Sequence, residues 1–385
     1  MKRGATGRYE VTVGGGEQVR AFVPFPLPPD PPIAMDTRMQ RLLEGAVLAL
    51  GRLDSLATLL PDAGLFLYTY VRKEAVLSSQ IEGTQSSLSD LLLFELEELP
   101  GVPLDDVVEV SNYVAALEHG LGRLREGFPL CNRLIREIHG VLLARGRGSE
   151  KDPGEFRRTQ NWIAGSRPGN ALFVPPPPQL MPELMSDLER TLHEEGLGPA
   201  VIRAALAHVP FETIHPFLDG NGRVGRLLIT LLLQHAGMLS QPLLYLSLFL
   251  KQHRQEYYRL LDQVRMEGDW EAWLEFFLEG VRQTAEGAVA TARRLGGLFE
   301  ADRARVQAEG RAAGSALRVH EVLTRRPLTS LQEVRRQTGL SFPAASSAMQ
   351  LLADVGIASE LTGKKRNRVF GYTKYVAILM EGTEA

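Results

Sequence analysis

Residues 215–226 read HPFLDGNGRVGR, which puts a histidine, a carboxylate, three glycines and two arginines in one short run. Val224, Leu227, Leu228, Leu231 and Leu232 recur at i, i+3, i+4, i+7 and i+8, which predicts a helix starting near Gly222 with that stripe buried. Gly220, Asn221 and Gly222 therefore fall at a helix N-terminus, where unpaired N–H groups and the helix dipole favour an anion. Glycines there lack the Cβ atoms that would hold a phosphate off the backbone. Arg223 and Arg226 on the first turns add guanidinium donors, enough with the glycine nest to grip more than one phosphate. Asp219 alone would repel a phosphate. A Mg²⁺ ion, commonly held by a carboxylate together with substrate phosphates, reconciles the two. His215 is the residue type suited to a general base near neutrality. Base, metal carboxylate and polyphosphate cradle together point to transfer of part of a nucleotide to a hydroxyl.

A second stretch breaks a local rule. In AVLSSQIEGTQSS the helical pattern runs into Glu82, and Gly83 is a good residue for the turn that ends a helix. A carboxylate at the negative end of the helix dipole is disfavoured by about 0.3–1 kcal/mol. Either Glu82 is exposed and screened, or an arginine from elsewhere in the chain compensates it.

The string HPFLDGNGRVGR resembles the signature of the Fic family, His-x-Phe-x-Asp/Glu-Gly-Asn-Gly-Arg-x-x-Arg, and matches it at every defined position. The resemblance implies AMP transfer from ATP to a Tyr, Ser or Thr hydroxyl of a protein, the chain itself included. His215 would deprotonate the hydroxyl and Asp219 would hold Mg²⁺. Asn221, with the glycine backbone at 220 and 222, would bind the α- and β-phosphates, and Arg223 and Arg226 the outer ones, Arg226 the γ-phosphate. Phe217 would anchor the loop in the core. The Gly-Asn-Gly-Arg portion argues against the Doc-type kinases, whose nest differs. UMP and phosphocholine transfer stay open, because the motif grips phosphates and not the base.

Ser78-Ser79-Gln80-Ile81-Glu82-Gly83 resembles the inhibitory pattern Ser/Thr-x-x-x-Glu-Gly/Asn of the Fic subclass with an N-terminal inhibitory helix. It implies that Glu82 pairs with Arg226 in place of a γ-phosphate and that Ser78 tethers the helix. The segment NWIAGSRPGNALFV has the place of the family's flap, with Ile163 or Phe173 as a clamp on the target side chain. By resemblance to a Tyr-Tyr segment after the motif, Tyr258 and Leu261 are candidates for the adenine wall. An enzyme with Glu82 in place could also remove AMP by aligning a water.

The elements that must position these groups follow from pattern. At 385 residues, two or three domains are expected. Residues 1–34, with GGG and PFPLPPDPP, favour an extended arm. Residues 35–118 form a helical region that carries the inhibitory helix at about 68–83, and 119–295 the catalytic core. Within the core, LCNRLIREIHGVLLARG predicts a helix with Cys131 as a small buried hydrophobe, and NWIAG and ALFV a lone hairpin stopped by Pro175 to Pro178. Residues 300–385 form a separate module whose helix, turn, helix and basic ribbon resemble a winged helix. The expected fold class is mainly α, and the resemblance implies a helical Fic fold with a β-hairpin flap, plus a small C-terminal winged-helix domain.

Net charge is −3 with a pI near 6.3, so nothing global suggests a nucleic-acid or membrane binder. No apolar run approaches the roughly 20 residues of a membrane span, and the N-terminus lacks the apolar core of a secretory signal. The expected location is the cytoplasm. ATP and an unnamed protein target are the expected partners, with a homodimer and DNA left open. Four cations in GKKRNR at 363–368 lie where a wing tip would reach DNA phosphates, so a nucleotide-sensing DNA-binding regulator is the alternative. Aromatics at helical spacing, and His208 and His253, which lack metal-ligand spacing, read as structural.

Overall fold

The computed structural model describes residues 1–59, 63–96, 104–364 and 366–383. Its centre is a pair of buried helices. Helix α7 (Ala200–Ile214) and helix α8 (Asn221–His235) pack against each other, and the HPFLDGNG loop is their connection. Both are buried on nearly every face. The stripe read from sequence is buried in full, and so are Arg223 and Arg226. That is what a helix surrounded by other helices looks like.

The surrounding helices are α1 (Thr37–Leu59), α2 (Ala63–Ile81), α3 (Leu88–Phe94), α4 (Leu104–Arg125), α5 (Asn132–Leu142), α6 (Met181–His193), α9 (Ser247–Gln252), α10 (Arg254–Glu267) and α11 (Trp270–Gln307). Helix α2 ends at Gly83, whose φ of 101° only glycine adopts freely, and packs on α4 and α9. Helix α11 is about 57 Å long at 1.5 Å per residue. It lies along α1 and runs unbroken through residues 295–300, where the sequence reading placed a change of domain. Cys131 caps α5 rather than lying within it and is half-buried.

The N-terminal segment departs from expectation. Residues 7–24 form an antiparallel hairpin, β1 (Gly7–Gly14) and β2 (Glu17–Pro24), in register from Gly7↔Pro24 to Gly14↔Glu17. Gly15 and Gly16, with φ of 56° and 84°, are its two-residue turn. The GGG run that suggested a loose arm supplies the turn, and the alternation Tyr9, Val11, Val13 against Val19, Ala21, Val23 supplies the strands. The second expected hairpin is shorter than its sequence suggests. Ile163 and Phe173 make a single bridge around a turn at Pro168–Asn170. It is also not alone, because the Phe22 N–H donates to the Val174 carbonyl at 2.9 Å and joins β2 to it.

The C-terminal part runs α12 (Ala313–Arg325), β3 (Leu328–Ser330), α13 (Leu331–Thr338), α14 (Phe342–Asp354), β4 (Ser359–Glu360) and β5 (Val369–Gly371). Strand β5 lies between β3 and β4, so the order and pairing are those of a winged-helix-like element. Lys365, within the basic run of residues 363–368, lies outside the described residues. A last helix, α15 (Thr373–Met380), returns to pack on α11 and α2. No helix among the described residues is long and apolar enough to cross a membrane.

Candidate active site

The loop from α7 to α8 is built on main-chain constraints. His215 closes α7 in a left-handed conformation, φ 50° and ψ 62°, which turns its side chain out of the helical row. Arg157, 2% exposed, holds that conformation from behind: Nε donates to the His215 carbonyl at 2.9 Å, and Nη2 to the Ile214 and Pro176 carbonyls at 3.2 and 2.6 Å. Phe217 is fully buried and stacks on His139 with ring centres 3.7 Å apart. His139 accepts the Gly154 N–H at Nδ1, which leaves Nε2–H to donate to the Asp219 carbonyl at 3.1 Å. Burial pulls His139 down to about 4, so this neutral tautomer persists at neutral pH.

Asn221 braces the loop from within. Its side-chain oxygen accepts the Phe217 N–H and its amide donates to the Phe217 carbonyl, both at 2.8 Å. Its main-chain N–H lies at the start of α8, where the anion nest is.

A carboxylate already lies over that nest. Glu82 Oε1 is so close to Gly222 that a Cβ there would lie 2.2 Å from it. The same oxygen accepts from Arg226 Nη2 at 2.8 Å. Arg226, 3% exposed, also donates from Nε to the Ser78 hydroxyl at 2.8 Å and from Nη2 to the Ser78 carbonyl at 2.9 Å. The partner arginine that the misplaced glutamate called for is thus Arg226. Burial pushes the Glu82 carboxyl up, but the charge and hydrogen bond of Arg226 outweigh it and hold it below its ordinary value.

The remaining charges suit an anion. Arg223, 1% exposed, pairs with Glu109 at 2.8 Å through Nη1 and with Asp219 at 3.4 Å through Nη2, and its Nε has no hydrogen-bond partner among the described residues. A buried guanidinium with an idle donor suits a phosphate oxygen. Asp219 accepts the Gly220 N–H at 2.6 Å and keeps its carboxylate part-exposed beside the nest. Among the described residues no group of three or more metal-ligating side chains converges. One carboxylate beside a phosphate cradle fits Mg²⁺, which takes few protein ligands and fills its shell with phosphate and water. His215 is half-buried and its Nδ1 has no partner. Burial, then the nearby Arg157 charge, pulls it down to about 4, so the ring is neutral and able to take a proton.

Tyr258, 40% exposed, stands on α10 near the Glu82–Arg226 pair, whereas Leu261 is 2% exposed and packs in the core, so of the two only Tyr258 offers a wall. Ile163 and Phe173 face each other across the flap bridge. His208 is structural, bonded to the Tyr257 hydroxyl at 2.8 Å, and His253 bonds within its own turn. Sequence reading missed Arg157, Glu109, His139 and Glu212. Glu212 is buried one turn before His215, with Oε1 4.0 Å from His208 Nε2, and burial raises it to about 7. The run GEFRRTQNW before the flap was the one signal for Arg157, since a charge next to a strand raises the question of its partner.

Comparison with known proteins agrees with this geometry. Residues 40–122 match the family model described as Fic/DOC family N-terminal, and residues 129–233 the one described as Fic/DOC family. The chain is 34% identical over 236 residues to a protein adenylyltransferase Fic of Culex quinquefasciatus, covering 58% of this chain and 43% of that one. It is 32% identical over 211 residues to a namesake of Drosophila grimshawi, covering 54% and 40%. The chain thus spans less than half the length of these curated relatives. Among solved structures it is similar to a Fic family protein from Desulfovibrio desulfuricans G20, with a TM-score of 0.59 at 20% identity over 89% of this chain and 98% of that one. A Fic domain containing signaling protein from Bacteroides thetaiotaomicron gives 0.53 at 22%, over 67% and 97%. The chain has the fold of the Fic family structures that it is similar to.

Proposed function

We propose that this chain transfers AMP from ATP to a hydroxyl side chain of a protein, and that Glu82 holds the reaction off until α2 moves. His215 takes the proton of the Tyr, Ser or Thr hydroxyl. The hydroxyl oxygen attacks the α-phosphorus, the bond from that phosphorus to the oxygen bridging the β-phosphate breaks, and pyrophosphate leaves. The main-chain N–H groups at Gly220, Asn221 and Gly222 and the idle Nε donor of Arg223 hold the phosphates in line. Asp219 is the residue that would hold Mg²⁺, which neutralises charge on the leaving pyrophosphate. Arg226 is the γ-phosphate ligand, and Glu82 competes for it.

The observation that carries the reading is the Glu82 carboxylate lying over Gly222 and bonded to Arg226. An anion of the chain's own fills the place where the cradle would receive a phosphate. The test is the intact mass of the Glu82→Gly chain after incubation with Mg²⁺ and, separately, ATP, UTP and CDP-choline. AMP adducts from ATP alone, absent in the double variant with His215→Ala, are expected. Adducts from UTP or CDP-choline would move the donor assignment, and none from any donor would overturn the reading.

A nucleotide-sensing regulator that binds DNA is a second reading with one observation in its favour. Arg335, Arg366 and Arg368 line an open groove of about 550 Å³ in the C-terminal element, beside the exposed ring of Phe342. None of the three forms an ion pair among the described residues. A gel shift that weakens steeply with salt would favour it.

A further inference from the structure

The β1–β2 hairpin lies outside both matched segments, which begin at residue 40, yet it is built into the flap. Beyond the Phe22–Val174 hydrogen bond, the fully buried ring of Phe22 stands between Tyr9 at 5.4 Å and Phe173 at 6.1 Å. The Arg265 guanidinium lies over the Phe173 ring, 4.2 Å from its centre. Val19 and Ala21 of β2 pack with Ala171 and Val174. At the turn end Glu17 pairs with Arg167 at 2.6 Å, and Gly14 lies so close to Gln160 that a Cβ would come within 2.9 Å of it.

The flap needs this support. Its two arms share one bridge, Ile163↔Phe173, and an isolated two-stranded ribbon is marginal even with a full ladder. On one side Arg157 and Asn161 tie it to the His215 loop, with Asn161 donating to the Phe217 carbonyl at 3.0 Å. On the other side β2 occupies the strand edge at Val174. The edge left open is that of Trp162 and Ala164, whose main-chain groups pair with nothing among the described residues.

We infer that the N-terminal hairpin is a positioning element for the flap, with Phe22 and Glu17 as its positioning residues. It fixes Phe173 and the Trp162–Ala164 edge relative to His215, and so governs transfer to the hydroxyl without touching the nucleotide. This rests on the reading of the flap as the platform for the protein target. A displacement of about 1 Å at such a platform costs up to a hundredfold in rate.

The test uses the full chain with Glu82→Gly as parent, Mg²⁺ and ATP as reactants, and self-modification by intact mass as readout. The variants are Phe22→Ala, Glu17→Arg, Arg167→Glu and the last two together. Amide exchange at Ile163 and Phe173, the donors of the bridge, is measured in parallel. Phe22→Ala is expected to speed that exchange and to lower the maximal transfer rate, each by about tenfold, while half-saturating ATP stays within about twofold. The swapped pair is expected to recover what each single change loses. Unchanged flap exchange in Phe22→Ala, a swapped pair no better than the singles, or a shift in half-saturating ATP matching the loss of rate would each overturn the inference. If the parent itself acquires no AMP, the proposed function fails separately. The exchange data then decide alone, with unchanged exchange again overturning the inference.

Discussion

At the residue scale, the proposed site sets a neutral histidine, His215, beside the buried guanidinium groups of Arg223 and Arg226. Since His215 sits near 4, its neutral form predominates above that value and is lost only as the pH falls through it. The Glu82→Gly chain should therefore show no acidic limb from His215 between about pH 6 and 8, whereas an unperturbed histidine would give one near 6.5. A pH–rate profile at saturating ATP with a limb near 6.5 would contradict the assignment. Arg157 gives a second prediction. Arg157→Gln removes the donors to three carbonyls around His215 and should cut the maximal rate by about a hundredfold with ATP affinity almost unchanged, while Arg157→Lys retains part of it. These roles were unequally legible. His215, Asp219, Arg223 and Arg226 were legible as candidates because one short string carries all four. Arg157, Glu109 and His139 were not, because each acts on the loop from a remote segment. The brace that the Asn221 side chain makes to the Phe217 N–H and carbonyl was not legible either, because nothing in the string says how the loop folds on itself.

At the element scale, the central object is the end of α2. Helix period and a terminal glycine located it, and the conflict of Glu82 with the helix dipole called for a cationic partner, supplied by Arg226 from α8. The same reasoning failed on residues 7–24. Glycine was read there as looseness, while the strand alternation on either side of Gly15 and Gly16 went uncounted. Because the Glu82 carboxyl is held below its ordinary value, the stability it gives is present at and above the ordinary carboxylate range and lost as the pH falls through the lowered value. Mild acidity is therefore not the release signal, and wild-type transfer should stay equally low from about pH 5.5 to 8. Removing Glu82 takes the carboxylate partner from the buried Arg226 and leaves it only the two bonds to Ser78, which destabilises the fold. The Glu82→Gly chain should melt below wild type in buffer, and ATP with Mg²⁺ should raise its midpoint more than that of wild type. A thermal shift of equal size in both chains would contradict the competition between Glu82 and phosphate.

At the scale of the whole molecule, the C-terminal segment packs back on α2. From the C-terminal segment Tyr375 shares a buried hydrogen bond with Thr69 of α2 at 3.0 Å, and the Glu381 carbonyl accepts from Lys73 of α2 at 2.9 Å. Arg294 of α11 grips the Glu381 carboxylate through both terminal nitrogens at 2.6 Å. No pattern in the sequence foretold this return, because α15 is short and its partners lie some 300 positions away. Deleting residues 373–383 strips the buried Tyr375 and Leu379 from α2 and α11 and should lower the melting midpoint by several degrees. The most direct measurement compares the initial rate of AMP incorporation by wild type, Glu82→Gly and Glu82→Gly with His215→Ala, at equal protein and saturating Mg²⁺ and ATP. The account predicts a rise of about a hundredfold or more on removing Glu82, abolished by the loss of His215. Equal rates in wild type and Glu82→Gly, or a rise that survives His215→Ala, would contradict it.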